Sequence, residues 1–69
     1  MPYRFKEIER KLKKLGFCIS RQAGSHVIFV KDSTIIPVPN HPGKDISPGV
    51  ESTIIKRCGL TRESFKRLK

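Results

Sequence analysis

Two short runs, HVIFV at residues 26–30 and TIIPV at residues 34–38, stand three residues apart. Both are β-branched or aromatic almost throughout. Strands joined by so short a link pair antiparallel, because a parallel pair needs a crossover of about a dozen residues or more. KDS is therefore a hairpin tip. Upstream, FCISRQ at residues 17–22 alternates as a strand does, with Phe17, Ile19 and Arg21 on one side and Cys18, Ser20 and Gln22 on the other. AGS turns the chain into HVIFV, so the middle of the sequence reads as a three-stranded antiparallel meander. Pro37 has no N–H to give a ladder, which puts the third strand at an edge.

Helical spacing brackets this meander. Over residues 4–15, Phe5, Ile8, Leu12 and Leu15 recur at three and four, an amphipathic stripe with Glu7–Lys11 and Glu9–Lys13 as i,i+4 pairs on the wet side. Gly16 ends that helix and Phe17 follows where it packs back on the last turn. PNHPGKDISPG, residues 39–49, is a Pro/Gly-rich connection that finishes in helix-start chemistry, with Ser47 as N-cap and Pro48 at the first helical position. The helix that follows turns Val50, Ile54, Ile55 and Cys58 inward and stops at Gly59. Thr61 caps a last short helix through Phe65 and Leu68. The expected fold is α+β, in the order α-β-β-β-α with a short C-terminal helical extension. Helices cover one sheet face and leave the other open, in a single domain over residues 1–69.

A chain of 69 residues has a thin core, since a domain near this size buries only about 60% of the surface its unfolded chain exposes. A deep, enclosed substrate pocket is not expected. Fifteen Lys and Arg against six Asp and Glu leave a net charge of +9, which favours a polyanion, nucleic acid above all, as partner. The charge gathers on the first helix, at Arg10, Lys11, Lys13 and Lys14, and near the C-terminus, where it suits an RNA backbone or an acidic protein. Cys18 and Cys58 lack any metal-ligand spacing and are expected as two buried thiols of a reducing cytosol. The charged N-terminal segment is no signal peptide, and no stretch approaches the ~20 apolar residues of a membrane span, so a soluble cytoplasmic protein without membrane contact is expected.

With the tip of the second hairpin at KDS, either of the two nearest registers lays the start of strand two beside Pro37–Pro39 and so brings His26 to the 39–44 loop. That loop holds His41, the other of the two histidines, and Lys44; the Gly24–Ser25 turn joins them at one edge of the sheet. With Val27 and Phe29 facing the helices, His26, Ile28 and Val30 face away from them. Periodicity alone explains His26 equally well as a strand-start histidine in an ordinary hydrogen bond and as a proton-transfer group.

Four segments taken in order are more specific: LKKLGF, RQAGSHVIF, IPVPNHPGKDISPG and IIKRCGL. With them the chain resembles the HicA/YcfA family of small toxin ribonucleases from toxin–antitoxin pairs, over essentially its whole length. The G-S-H step after R-Q is the most specific part. The resemblance implies a double-stranded-RNA-binding-domain-like fold, catalysis by the histidine of that step, here His26, cleavage of messenger RNA, and inhibition by a cognate HicB-like antitoxin.

RNA carries its own nucleophile, the 2′-hydroxyl, so an enzyme has only to position it, move a proton and stabilise charge on phosphorus. A histidine titrates near neutrality and can move that proton. The expected roles are His26 as general base or acid, the Gly24–Ser25 backbone and Ser25 hydroxyl as phosphate positioners, Lys44 or Arg21 as transition-state cation, and His41 as complementary acid. Asp32, Asp45, Glu51 and Glu63 are scattered, whereas two-metal nucleases converge carboxylates on ions roughly 3.5–4 Å apart, so neither a metal nor a small-molecule cofactor is expected. The alternative is a non-catalytic double-stranded RNA-binding module. It needs lysines at the start of the last main helix, and SPGVEST supplies Glu51 instead.

Overall fold

A computed structural model describes residues 2–69. The elements run α1 (Phe5–Lys14), β1 (Cys18–Ala23), β2 (His26–Lys31), β3 (Thr34–Pro39), α2 (Pro48–Arg57) and α3 (Arg62–Arg67). This is the α+β order expected, with its helical extension.

α1 opens with the Glu7 carboxylate accepting from the Arg4 backbone N–H at 3.2 Å, which satisfies an orphan donor and sets negative charge at the positive helix end. It closes at Gly16, whose φ of 100° lies where side chains are strained. Phe17 then folds back, its N–H on the Leu12 carbonyl at 3.0 Å, and is buried. α2 starts at Ser47, whose hydroxyl accepts from the Val50 N–H at 3.4 Å, and α3 at Thr61, which accepts from Ser64 at 3.1 Å.

The sheet is antiparallel in the order β1-β2-β3. Val27, Phe29, Ile36 and Val38 point to one face and pack with Ile8, Leu12, Ile54, Ile55 and Phe65 into the core. Each such side chain contributes about 1.5–3 kcal/mol by leaving water. β2 and β3 pair from His26↔Pro39 to Lys31↔Thr34 around a tight turn in which Asp32 takes φ 53°.

β1 departs from the alternation expected of it. Ile19 pairs with Phe29, yet Arg21 pairs with Ile28, so Ser20 is an extra residue in a β-bulge. Cross-strand partners share a face, and the bulge therefore separates Ile19, on the helix side, from Arg21, on the open side with Ile28 and His26. All six residues of β1 are exposed. Cys18 is exposed with them, opposite Val30, and Cys58 is half-buried, which corrects the expectation of two buried thiols. Burial pushes the Cys58 thiol up, opposed by the Lys31 charge.

At the β3 edge, Arg57 Nη1 donates to the Ile35 carbonyl at 2.7 Å, so Ile35, and with it Pro37 and Pro39 by alternation, turns its backbone outward. The two prolines have no N–H to offer there.

Lys11 is also not where the i,i+4 pattern put it. The Glu9–Lys13 pair forms at 3.2 Å, but Lys11 is 4% exposed and its Nζ donates to the carbonyls of Phe65 at 3.1 Å, Lys66 at 3.3 Å and Leu68. It also stands 5.7 Å from the Tyr3 ring centroid and 5.6 Å from that of Phe65. Of these carbonyls, that of Phe65 also accepts the Leu68 N–H at 3.2 Å; helix-end carbonyls have lone pairs to spare, and a long lysine stem can lie along apolar surface to reach them. Among the described residues no helix is long and apolar enough to cross a membrane.

Candidate functional site

His26 is the first residue of β2 because the chain reverses just before it. Gly24 takes φ 62°, its carbonyl accepts from Gln22 Nε2 at 3.2 Å, and Ala23 pairs with His26. Across the ladder stands Pro39, and the next residue, Asn40, donates its N–H to the Ser25 carbonyl at 2.6 Å. The loop that follows is tied at each end. The Lys44 N–H reaches the His41 carbonyl at 3.1 Å over Gly43, and Ile46 N–H meets the Tyr3 carbonyl at 2.7 Å beside an Arg4–Asp45 ion pair of 2.9 Å.

These ties form a cleft of about 300 Å³ lined by His26, Pro39, His41, Lys44, Asp45 and Ser47 among others. The expected gathering of both histidines and Lys44 is present. Asp45 is paired with Arg4, which leaves Lys44 as the unpaired lysine or carboxylate charge among the described residues that line the cleft. Ser47 and Val50 bring in the N-terminus of α2, where Pro48 has no N–H, Val50 is capped by Ser47, and the helix dipole is positive. A concavity that carries the Lys44 ammonium beside an exposed imidazole can hold an anion and exchange a proton with it.

A second cleft, of about 380 Å³, shares His26, Pro39, Ser47 and Val50 with the first and continues along α2 past Pro37 to Thr53 and Arg57. Sequence reasoning missed Thr53 and placed Arg57 only within the basic charge near the C-terminus. Their i,i+4 spacing places them on one helix face, but which strand edge that face borders depends on how the 40–47 loop closes.

Arg21, Gly24 and Ser25 line neither cleft. Arg21 lies on the His26 face, two residues along β1 from His26's partner Ala23. The Ser25 carbonyl is engaged by Asn40, and Ser25 is half-buried. A larger concavity, about 650 Å³, sits away from the histidines between α1 and α3, where Glu51 and Arg62 neutralise each other. Among the described residues no three His, Cys, Asp or Glu side chains converge.

No curated protein sequence matches the chain. Residues 5–60, from the start of α1 through the end of α2 and including both clefts beside His26, match the family model described as HicA toxin of bacterial toxin-antitoxin, and the protein belongs to that HicA toxin family.

Proposed function

We propose that this toxin is an endoribonuclease that cuts messenger RNA by its own 2′-hydroxyl, with His26 moving the proton, and that a HicB-like antitoxin silences it. The observation that carries the reading is the shared cleft of His26, His41 and Lys44. The phosphate lies in that cleft against Lys44, which offsets the charge that builds on its oxygens. His26 takes the proton of the 2′-hydroxyl as the oxygen bonds to phosphorus. His41 supplies a proton to the 5′-oxygen as the P–O5′ bond breaks, leaving a 2′,3′-cyclic phosphate and a 5′-hydroxyl. Arg21, on the same sheet face, and the Gly24–Ser25 turn hold the strand that leads to the cleft. No step needs a metal or a cofactor, because substrate and side chains supply the nucleophile and both protons. A chain of net charge +9 suits RNA as substrate and an acidic surface on its inhibitor.

His26→Ala tests the reading, since His26 is exposed and its removal leaves the core intact. The variant is expected to fold, to bind RNA and to lose cleavage and toxicity. An RNA whose 2′-oxygens are methylated is expected to resist the wild type, and chelators to leave cleavage unchanged. A folded His26→Ala protein that still cuts would move the chemistry elsewhere. RNA binding by both proteins without cleavage by either would make this a binding module.

A further inference from the structure

We infer that the cleft along α2 is a subsite for one unpaired nucleobase, that of the nucleotide flanking the scissile phosphate. The inference rests on the ribonuclease reading of His26 and names what that site selects. The two adjoining clefts differ in chemistry. The one with His41 and Lys44 suits a phosphate; the other is floored by Ile36 and Ile54 and walled by Pro37, Pro39 and Val50. A nucleotide has the same two halves, an anionic backbone and a flat, weakly hydrated ring. His26 stands where they join, within reach of the ribose between them.

Size and edge chemistry agree. About 380 Å³ falls within the roughly 300–1,000 Å³ range of small-ligand sites. Two polar groups interrupt the apolar lining at its far end. Arg57 is fixed by one N–H on the Ile35 carbonyl at 2.7 Å and has other N–H groups free to donate. Thr53 gives its hydroxyl proton to the Gly49 carbonyl at 3.1 Å and keeps its lone pairs as acceptors. Donor and acceptor one helical turn apart can read the edge of a base, and the apolar walls suit its flat, weakly hydrated faces. A base can enter only when it is out of a duplex stack, so the subsite also selects single-stranded RNA.

Gly49 provides the test. It is one of the residues lining the cleft, and a Cβ built on it meets no atom within 4 Å, so a larger side chain has room at this lining position without disturbing the core. Its backbone is not left-handed, and a residue other than glycine suits a helix better. Wild type, Gly49→Ala, Gly49→Leu and His26→Ala are compared on a single-stranded oligoribonucleotide, intact or with an abasic ribose at each position next to the cut. Melting curves check that the variants fold. Losing the base at one flanking position is expected to slow wild-type cleavage roughly tenfold or more. Gly49→Leu is expected to lose a similar factor on intact RNA and little more on the abasic one, with Gly49→Ala between. Gly49→Leu cutting intact RNA at the wild-type rate and positions would overturn the subsite. So would a Gly49→Leu protein that cuts normally but no longer binds its antitoxin, which would make the occupant a protein side chain. Cleavage that survives in His26→Ala would instead move the chemistry away from His26, and cleavage absent from wild type would remove the ribonuclease reading; either takes away the ground on which the subsite rests.

Discussion

The Asn40 N–H donates to the Ser25 carbonyl at 2.6 Å, one residue before His41 on one side and one residue before His26 on the other. A backbone hydrogen bond thus ties together the two chain segments that carry the imidazoles. Asn40→Pro removes the donor and Asn40→Ala keeps it. The proline variant is expected to lose about 0.5–1.5 kcal/mol of stability, by denaturant titration, and a larger share of its cleavage rate. The alanine variant is expected to behave as wild type in both. Equal activity in the two would mean that the spacing of the histidines is set elsewhere.

Lys11 is expected to hold the C-terminal helix in place. Lys11→Met keeps the apolar stem but leaves the Phe65, Lys66 and Leu68 carbonyls without their cationic donor. The cost is about 1–3 kcal/mol, with α3 losing hydrogen-exchange protection before the sheet does.

The same residue gives a pH dependence. Burial, aided by Arg10 and opposed by Glu7, holds the Lys11 ammonium below the ordinary lysine value. Below the folded-state value both folded and unfolded chains keep this proton. Between that value and the ordinary one only the unfolded chain does, so the contribution of Lys11 to stability rises with pH across that window. The stability difference between wild type and Lys11→Met should therefore widen toward alkaline pH. A difference that stays flat or narrows would contradict the shift.

Glu51 and Arg62 should respond unequally to mutation. The Glu51 side chain is 12% exposed and that of Arg62 60% exposed, and Arg62 also reaches the Ser52 hydroxyl. Arg62→Met strands a buried carboxylate, whereas Glu51→Gln leaves an arginine free to turn to water. The first is expected to cost about 1–3 kcal/mol and the second less. Tyr3, raised by burial and by Glu51 and Glu7 against the pull of Arg62, should titrate higher still in Arg62→Met. It is the one tyrosine in the chain, so ultraviolet absorbance reads it directly.

Removing Ser20 should be tolerated. Without it Ile19 and Arg21 become neighbours opposite Phe29 and Ile28, which makes a regular ladder and keeps both side chains on their present faces. The melting midpoint should correspond to a change within about 1 kcal/mol, and cleavage should persist. Collapse of the fold would show that the bulge is needed for more than register.

The helices, both hairpins and the meeting of His26 with His41 and Lys44 were legible because each rests on a local signal. Spacing marked α1, caps at Ser47 and Thr61 marked α2 and α3, and the short KDS tip narrowed the register to two, each laying the start of β2 beside Pro37–Pro39, of which the structure has His26 opposite Pro39. Ser20 gave no warning, because one extra residue in an alternating run leaves the alternation of the letters unbroken while reversing the faces beyond it. Lys11 was misplaced because its partners are carbonyls more than fifty positions away, whereas Glu7 is one turn away. Cys18 looked like core only if β1 were covered, and it is the one strand whose side chains are all exposed. Thr53 and Arg57 entered the site through tertiary closure, for which helical periodicity has no sign.

The two borders of the sheet are not equivalent to an arriving strand. Along β3, Pro37 and Pro39 withhold their donors and Arg57 occupies the Ile35 oxygen, so a neighbour would find few partners in register. Polymerisation by sheet extension needs both borders to be receptive. With one of them poor in donors, extension of this protein into long fibrils is disfavoured by the same prolines that wall the cleft beside His26.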